Sequence, residues 1–544
     1  MMLSSKINCL FGIQIFVQLA HCTSSPTATA TNTWSTKVYN VSAATTTLTY
    51  EYTNEELAML WNQVGSIAVG PITTTVEPTP EPSSYPRPGS FHPLVPTYDT
   101  SMNNQSLPDD FVWGLAASSY QIEGAAKDED NSTGDIVASH YWLYKQDFAR
   151  LASLGVPYFS PSFSWPRFFP FGNGPVNKQG VDHYDDVIAS MVANGIKPVV
   201  TLFHWKHLSP CSIHMEPGQT SESWTTSSIM LTQYCNWQYA SYPAGNTKGN
   251  YPAYHNITGG LPARIACSHY SILAHAKVAK WYHEEFHGTG RITFKNSGNF
   301  YAPNNTSSEG DVDSVARNFE FALVGSTAVG ATEEKDLIKG SCDFFAIDGY
   351  TAFLATTIPG GSAACASNSS HPSFPECAGS SSLAADGFPL GPAADEGVNW
   401  LVSTPAAIRQ FLNVITKELF PTVGDIVVSE FGFAEPFEGE MGTLGEVLWD
   451  LRRADYYRGF LDNILAAKVV DGVNVTGAFG WAIFDNFEWF SGSKVKFGLQ
   501  WLNQTSMERI PKASMFQSLD WFDAHGGAKL GAGSSGNVTK KHFD

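Results

Sequence analysis

Charge is scarce in this chain: Asp, Glu, Lys and Arg together make up 15% of its 544 residues. With 43% apolar residues, it is no acidic disordered polymer and has ample material for a large core. Positive charge is the scarcer sign. Thirty-two Lys and Arg face 51 Asp and Glu, a formal net charge of −19, which argues against nucleic acid or an anionic membrane as partner. The apolar stretch near the N-terminus, INCLFGIQIFVQLA, is too short and too interrupted for a comfortable membrane span. Cysteine is also sparse, at eight residues, and no pair has zinc-ligand spacing, so no structural metal and no cofactor is expected. Cys365 and Cys377 bracket a Ser/Pro-rich loop and can pair in an oxidising compartment.

Residues 1–22 read as a secretory signal. Lys6 is its positive start, the apolar stretch follows, and small residues succeed His21. A buried N-terminal helix is the alternative for the same stretch. Ten N-x-S/T sequons, from Asn40 to Asn537, agree with a secreted glycoprotein. Residues 23–106 are a Thr/Ser/Pro-rich extension that cannot bury enough surface to fold alone. One island in it, TNEELAMLWNQVG (53–65), sets Thr53 and Glu56 at capping-box spacing and predicts a short helix.

From Leu107 to about residue 525 the pattern changes. Seven short apolar runs (111–119, 156–165, 197–205, 290–298, 342–350, 425–432 and 475–484) alternate with amphipathic stretches such as YWLYKQDFARLASLG and HYSILAHAKVAKWYHEEF. That alternation predicts an α/β fold with a parallel sheet and covering helices. The natural reading is a (β/α)8 TIM barrel in which the fourth strand has no recognisable run. Residues 526–544 are left as a C-terminal tail.

Several strand ends carry groups that a purely structural barrel does not need: Gln121, His204 with Trp205, Tyr350, Glu430, and Trp481 with Glu488 and Trp489. Singly, each has a bland explanation. A Trp after a strand is usually core, and a lone Glu there is more often a helix N-terminal charge. Five such ends on one face of one barrel point instead to the C-terminal mouth, where barrel enzymes keep their chemistry. A carboxylate placed like Glu430 can attack a sugar's anomeric carbon if a second carboxyl group faces it.

In order and spacing these motifs resemble glycoside hydrolase family 1, the β-glucosidase family. FVWGLAASSYQIEGA is similar to its opening strand, TLFHW to its third, EFGFAEP to its nucleophile segment, and GWAIFDNFEW to its closing strand. The resemblance covers about residues 107–522. It implies a retaining β-glycosidase acting on β-D-glucosides, with Glu430 as nucleophile and Tyr350 as its hydrogen-bonding partner. Gln121, His204 and Glu488 then hold the hydroxyls of the sugar, Trp205 and Trp489 lie beside them, and Trp481 forms the stacking floor. The implied partner is a small-molecule or oligosaccharide β-glucoside.

The pattern breaks after Trp205. The family's fourth strand ends in Asn-Glu-Pro, whose Glu is the general acid/base, and no such tripeptide precedes the family-like stretch that begins near Leu231. Codons for Leu208–Met230 read two bases later can spell a string like the family's loop and helix after its third strand, the one that ends in His-Trp. A frameshift with a misjoined exon boundary accounts for this. Segments after EGA and in FALVGSTAVG are also shortened, and Ser160 stands where the family usually has an Arg. The alternatives are therefore a catalytically inactive sugar-binding protein or the product of a faulty gene model.

Overall fold

A computed structural model describes residues 15–18, 100–124, 137–168, 176–202, 204, 261–319, 332–368, 370–374, 376–384 and 387–531. The strands, in chain order, are β1 (Ile15–Gln18), β2 (Val112–Ala117), β3 (Tyr158–Pro161), β4 (Lys197–Thr201), β5 (Arg291–Ser297), β6 (Phe300–Pro303), β7 (Phe345–Asp348), β8 (Ala352–Thr356), β9 (Gly379–Ser381), β10 (Ile426–Phe431), β11 (Val475–Trp481), β12 (Gln500–Leu502) and β13 (Arg509–Pro511). Each of the seven expected apolar runs yields one barrel strand. They close in the order β1-β4-β3-β2-β11-β10-β7-β5, while β6-β8-β9 and β12-β13 form two small sheets.

Parallel pairing runs through β4-β3-β2-β11-β10-β7-β5, as strand–helix alternation requires. The eighth stave differs. β1 lies antiparallel to both neighbours, with Phe16 opposite Thr201 and Val17 opposite Ile292. The sequence reading places these four residues in a leader, and they stand here in the gap where the fourth barrel strand is missing. An open gap exposes ladder groups on β4 and β5, and a short apolar, β-branched segment can pair with them.

β10 reads IVVSEF and is buried at every position, as a parallel strand covered on both faces is, its apolar Ile426–Val428 start giving way to buried Ser429 and Glu430. The covering helices include His140–Ser153, Lys178–Ala193, Leu261–Glu284 and Leu451–Val469. The second starts where the Asn177 side chain accepts from the Gln179 N–H at 3.2 Å, supplying an orphan donor with a partner. Gly526 bridges to Leu107, and Ala528 O accepts from the Trp113 indole at 2.7 Å. The start of the expected tail thus packs beneath β2. Cys365 and Cys377 form a disulfide. The short helix expected at 53–65 lies outside the described residues, as does nearly all of the extension. Among the described residues no helix is long and apolar enough to cross a membrane, and no cluster of His, Cys, Asp and Glu could hold a metal.

Candidate active site

Glu430 is placed by an irregularity in β10. Val428 pairs with Ile347 and Glu430 with Asp348, so Ser429 is an extra residue against β7. Such a bulge re-aims the following side chain. Just beyond it, a Cβ on Gly432 would come within 2.2 Å of the Trp481 carbonyl oxygen, so only glycine lets the two chains approach there. The Glu430 carboxylate is buried. Its Oε2 accepts from Tyr350 Oη at 2.9 Å and its Oε1 accepts from Lys295 Nζ.

Tyr350 is fixed in turn by its backbone, whose carbonyl accepts from Tyr456 Oη at 2.7 Å. Burial, followed by the Glu430 and Asp348 charges, pushes the Tyr350 phenol well above its usual range. It therefore stays protonated and can donate to the carboxylate.

Across the mouth, Gln121 Nε2 donates to Glu488 Oε2 at 3.1 Å. Gln121 Oε1 is buried and has no hydrogen-bond partner among the described residues, so it is a free acceptor for a ligand hydroxyl. Burial and the Glu430 charge push the Glu488 carboxyl up to about 8, against hydrogen bonds from Gln121 and Trp481. Buried His204 is pushed down to about 4, chiefly by desolvation, and is neutral at pH 7. Its ring stacks with Trp481 at 5.8 Å between centroids and with Trp489 at 6.3 Å. Trp489 also stacks on Tyr120 at 5.6 Å. Aromatic faces and paired polar groups of this kind suit a sugar, which presents C–H faces and hydroxyls together.

Seven of the eight residues expected at the mouth are therefore described at strand ends of one barrel face; Trp205 lies outside the described residues. Sequence reading missed Lys295 and Asp348. Lys295 Nζ is 3.4 Å from Asp348 Oδ1, which also accepts from Ser429 Oγ at 2.7 Å. Burial, then the Glu430 charge, pushes the Asp348 carboxyl up to about 7, with Lys295 opposing. Burial alone would lower the Lys295 ammonium, but the Asp348 and Glu430 carboxylates raise it. The available signal was a lysine in the RITFKNS run, on the same alternating face as Thr293. Ser160 Oγ is buried without a partner among the described residues, so the cation beside Glu430 comes from β5 and not from β3.

Behind the mouth, a buried network holds the loop that follows β10. Arg453 donates to Asp450 Oδ2 at 2.6 Å, to Phe433 O at 2.8 Å and to Glu438, which also accepts from Lys512. Lys512 reaches Asp485 Oδ1 at 2.7 Å, tying the loop to the segment that carries Glu488.

Comparison with known proteins agrees with this geometry. The model of "Glycosyl hydrolase family 1" matches residues 103–329 and 324–524. Beta-glucosidase 12 of Oryza sativa subsp. japonica is 29% identical over 495 residues, covering 77% of this chain and 92% of its own. Raucaffricine-O-beta-D-glucosidase of Rauvolfia serpentina is 29% identical over 500 residues, covering 76% of this chain and 91% of its own. Among solved structures, a GH1 beta-glucosidase from the fungus Humicola insolens in complex with glucose aligns with a TM-score of 0.66 and 26% identity. It covers 77% of this chain and 99% of the fungal one.

Proposed function

The chain belongs to glycosyl hydrolase family 1, and from that membership we propose a retaining β-glucosidase whose nucleophile is Glu430. The observation that carries this reading is Glu430 at the C-terminal end of β10, held by Tyr350 at 2.9 Å on the barrel face that also bears Gln121, His204, Trp481, Glu488 and Trp489. A β-D-glucoside lying on Trp481 gives its hydroxyls to Gln121, His204 and Glu488. A Glu430 oxygen bonds to the anomeric carbon while the bond to the aglycone oxygen breaks, leaving a glycosyl ester. Water then cleaves the ester and restores the carboxylate.

The leaving oxygen normally takes a proton from a second carboxyl group, and the sequence holds no Asn-Glu-Pro to supply it. Loss of general acid catalysis typically costs ~10²–10⁴-fold in rate. Turnover of ordinary glucosides is therefore weak in this chain, and glucosides of acidic phenols suffer least. Secretion fits the reading, supported by the N-terminal apolar stretch, the sequons and the Cys365–Cys377 disulfide.

The decisive experiment offers a 2-deoxy-2-fluoroglucoside with an activated leaving group and locates the label by peptide mapping. The label is expected on Glu430; a label elsewhere, with Glu430 bare, overturns the assignment. The missing tripeptide also favours a second reading, a sugar-binding protein without turnover or the product of a faulty gene model. Calorimetric binding of glucosides with no release of an activated phenol supports the former. A transcript carrying an in-frame Asn-Glu-Pro across codons 205–233 supports the latter.

A further inference from the structure

We propose that Lys295 is a positioning residue with two seats, paired with Glu430 when that carboxylate is free and with Asp348 when it is esterified. The proposal rests on Glu430 being the nucleophile. Three adjacent strands build the arrangement: β5 pairs Ser297 with Asp348 of β7, and β7 pairs Asp348 with Glu430 of β10. The Lys295 side chain is 1% exposed, so its charge has little water to fall back on. Its Nζ donates to Glu430 Oε1 and lies 3.4 Å from Asp348 Oδ1. Among the described residues neither carboxylate has any other cation partner.

Ester formation changes this balance. When a Glu430 oxygen bonds to the anomeric carbon, the electron pair of the broken bond leaves with the aglycone and Glu430 loses its negative charge. A buried ammonium left with no counter-charge is strongly unfavourable. Asp348 removes that penalty because it stands within reach and is already fixed by Ser429 Oγ at 2.7 Å. The cation then moves by a rotation of its own flexible stem and returns when water frees Glu430. One lysine thus orients the nucleophile before attack, and one aspartate makes the covalent intermediate tolerable after it.

The test uses the full chain at pH 8 with 2,4-dinitrophenyl 2-deoxy-2-fluoro-β-glucoside, whose leaving group needs no proton. The maximal labelling rate, the half-saturating concentration and the release of label by azide are measured. Lys295→Met is expected to slow labelling at least about tenfold with half-saturation nearly unchanged, and Lys295→Arg to restore most of the rate. Asp348→Asn is expected to slow labelling several-fold and to speed azide release, because the ester then leaves the cation alone. Labelling of Lys295→Met at the parent rate overturns the proposal, and so does a change of the same sign in both rates of Asp348→Asn. A urea double-mutant cycle among Lys295→Met, Glu430→Gln and Asp348→Asn separates this proposal from the functional reading. Coupling of Lys295 to both carboxyls is expected, and coupling to only one overturns the two seats even if no label forms. A parent chain that stays unlabelled while both couplings are present faults the glucosidase reading instead.

Discussion

Two walls of the same barrel are built to different standards. The wall of β7, β10 and β11 is parallel and buried. It is backed by Arg453 and Lys512, which tie Phe433, Glu438, Asp450 and Asp485 into one network. The wall between β4 and β5 is closed by the four residues of β1, antiparallel to both neighbours and drawn from a segment with the composition of a leader. If that leader is cleaved, β4 and β5 are left with bare edges, the exposure that favours aggregation. The difference separates the two halves of the reaction. Glu430, Trp481 and Glu488, the proposed nucleophile, floor and one hydroxyl partner, belong to the well-built wall, whereas His204 follows β4 and the family's proton donor belongs to the missing strand.

The sharpest way to probe that division is to mend the weak wall. Replacing residues 205–260 with the matching Asn-Glu-Pro segment of a family member is expected to raise kcat/KM for unactivated glucosides ~10²–10⁴-fold. Glucosides of acidic phenols are expected to gain far less. An equal gain on both substrate classes would mean that the defect was one of folding and not of proton supply.

The next largest effect compares the walls directly by stability. Arg453 is fully buried between Asp450 and Glu438, so Arg453→Met leaves two buried carboxylates short of a cation. A loss of about 3–5 kcal/mol is expected, read from urea unfolding. In the uncleaved chain, Val17→Pro removes a ladder donor from β1, worth about 1–3 kcal/mol. Equal losses for the two variants would abolish the contrast between the walls.

This contrast also decides what sequence could reveal. The seven parallel strands were legible because each apolar run is bounded by turn signals, and Glu430 because it closely follows the Ile426–Val428 run. Seven of the eight residues read as the mouth are described, and each lies on or after the end of such a run. Lys295 was not legible, since a lysine in a strand ordinarily faces water, and only the pairing of β5 with β7 turns it toward Glu430. Asp348 was hidden similarly: FAID ends in an acid that reads as a loop residue until β10 is laid beside it. β1 was missed because an apolar segment serves a leader and a strand equally well, and only an open gap distinguishes them.

The smallest expected effect concerns the titration of the mouth. A carboxyl whose pKa in the fold stands above its unfolded value keeps a proton that the unfolded chain has lost, so raising pH through that window favours unfolding. Glu488, pushed up to about 8 by burial and by Glu430, acts in this sense from about pH 4.5 to 8. Asp348 does the same up to about 7. His204, pushed down to about 4 by burial, acts oppositely, because the unfolded chain binds its proton up to about pH 6.5. Below pH 6.5 the two senses compete; above it the carboxyls prevail. Stability is therefore expected to fall between pH 6.5 and 8 and then level off. The slope due to Glu488 is at most about 1.4 kcal/mol per pH unit, and smaller in practice because its side chain is partly open to solvent at the mouth. Urea midpoints measured across this range should decline in the parent chain, and the decline between pH 7 and 8 should be largely absent in Glu488→Gln. A decline that persists in that variant would place the responsible proton away from the sugar-binding side of the mouth.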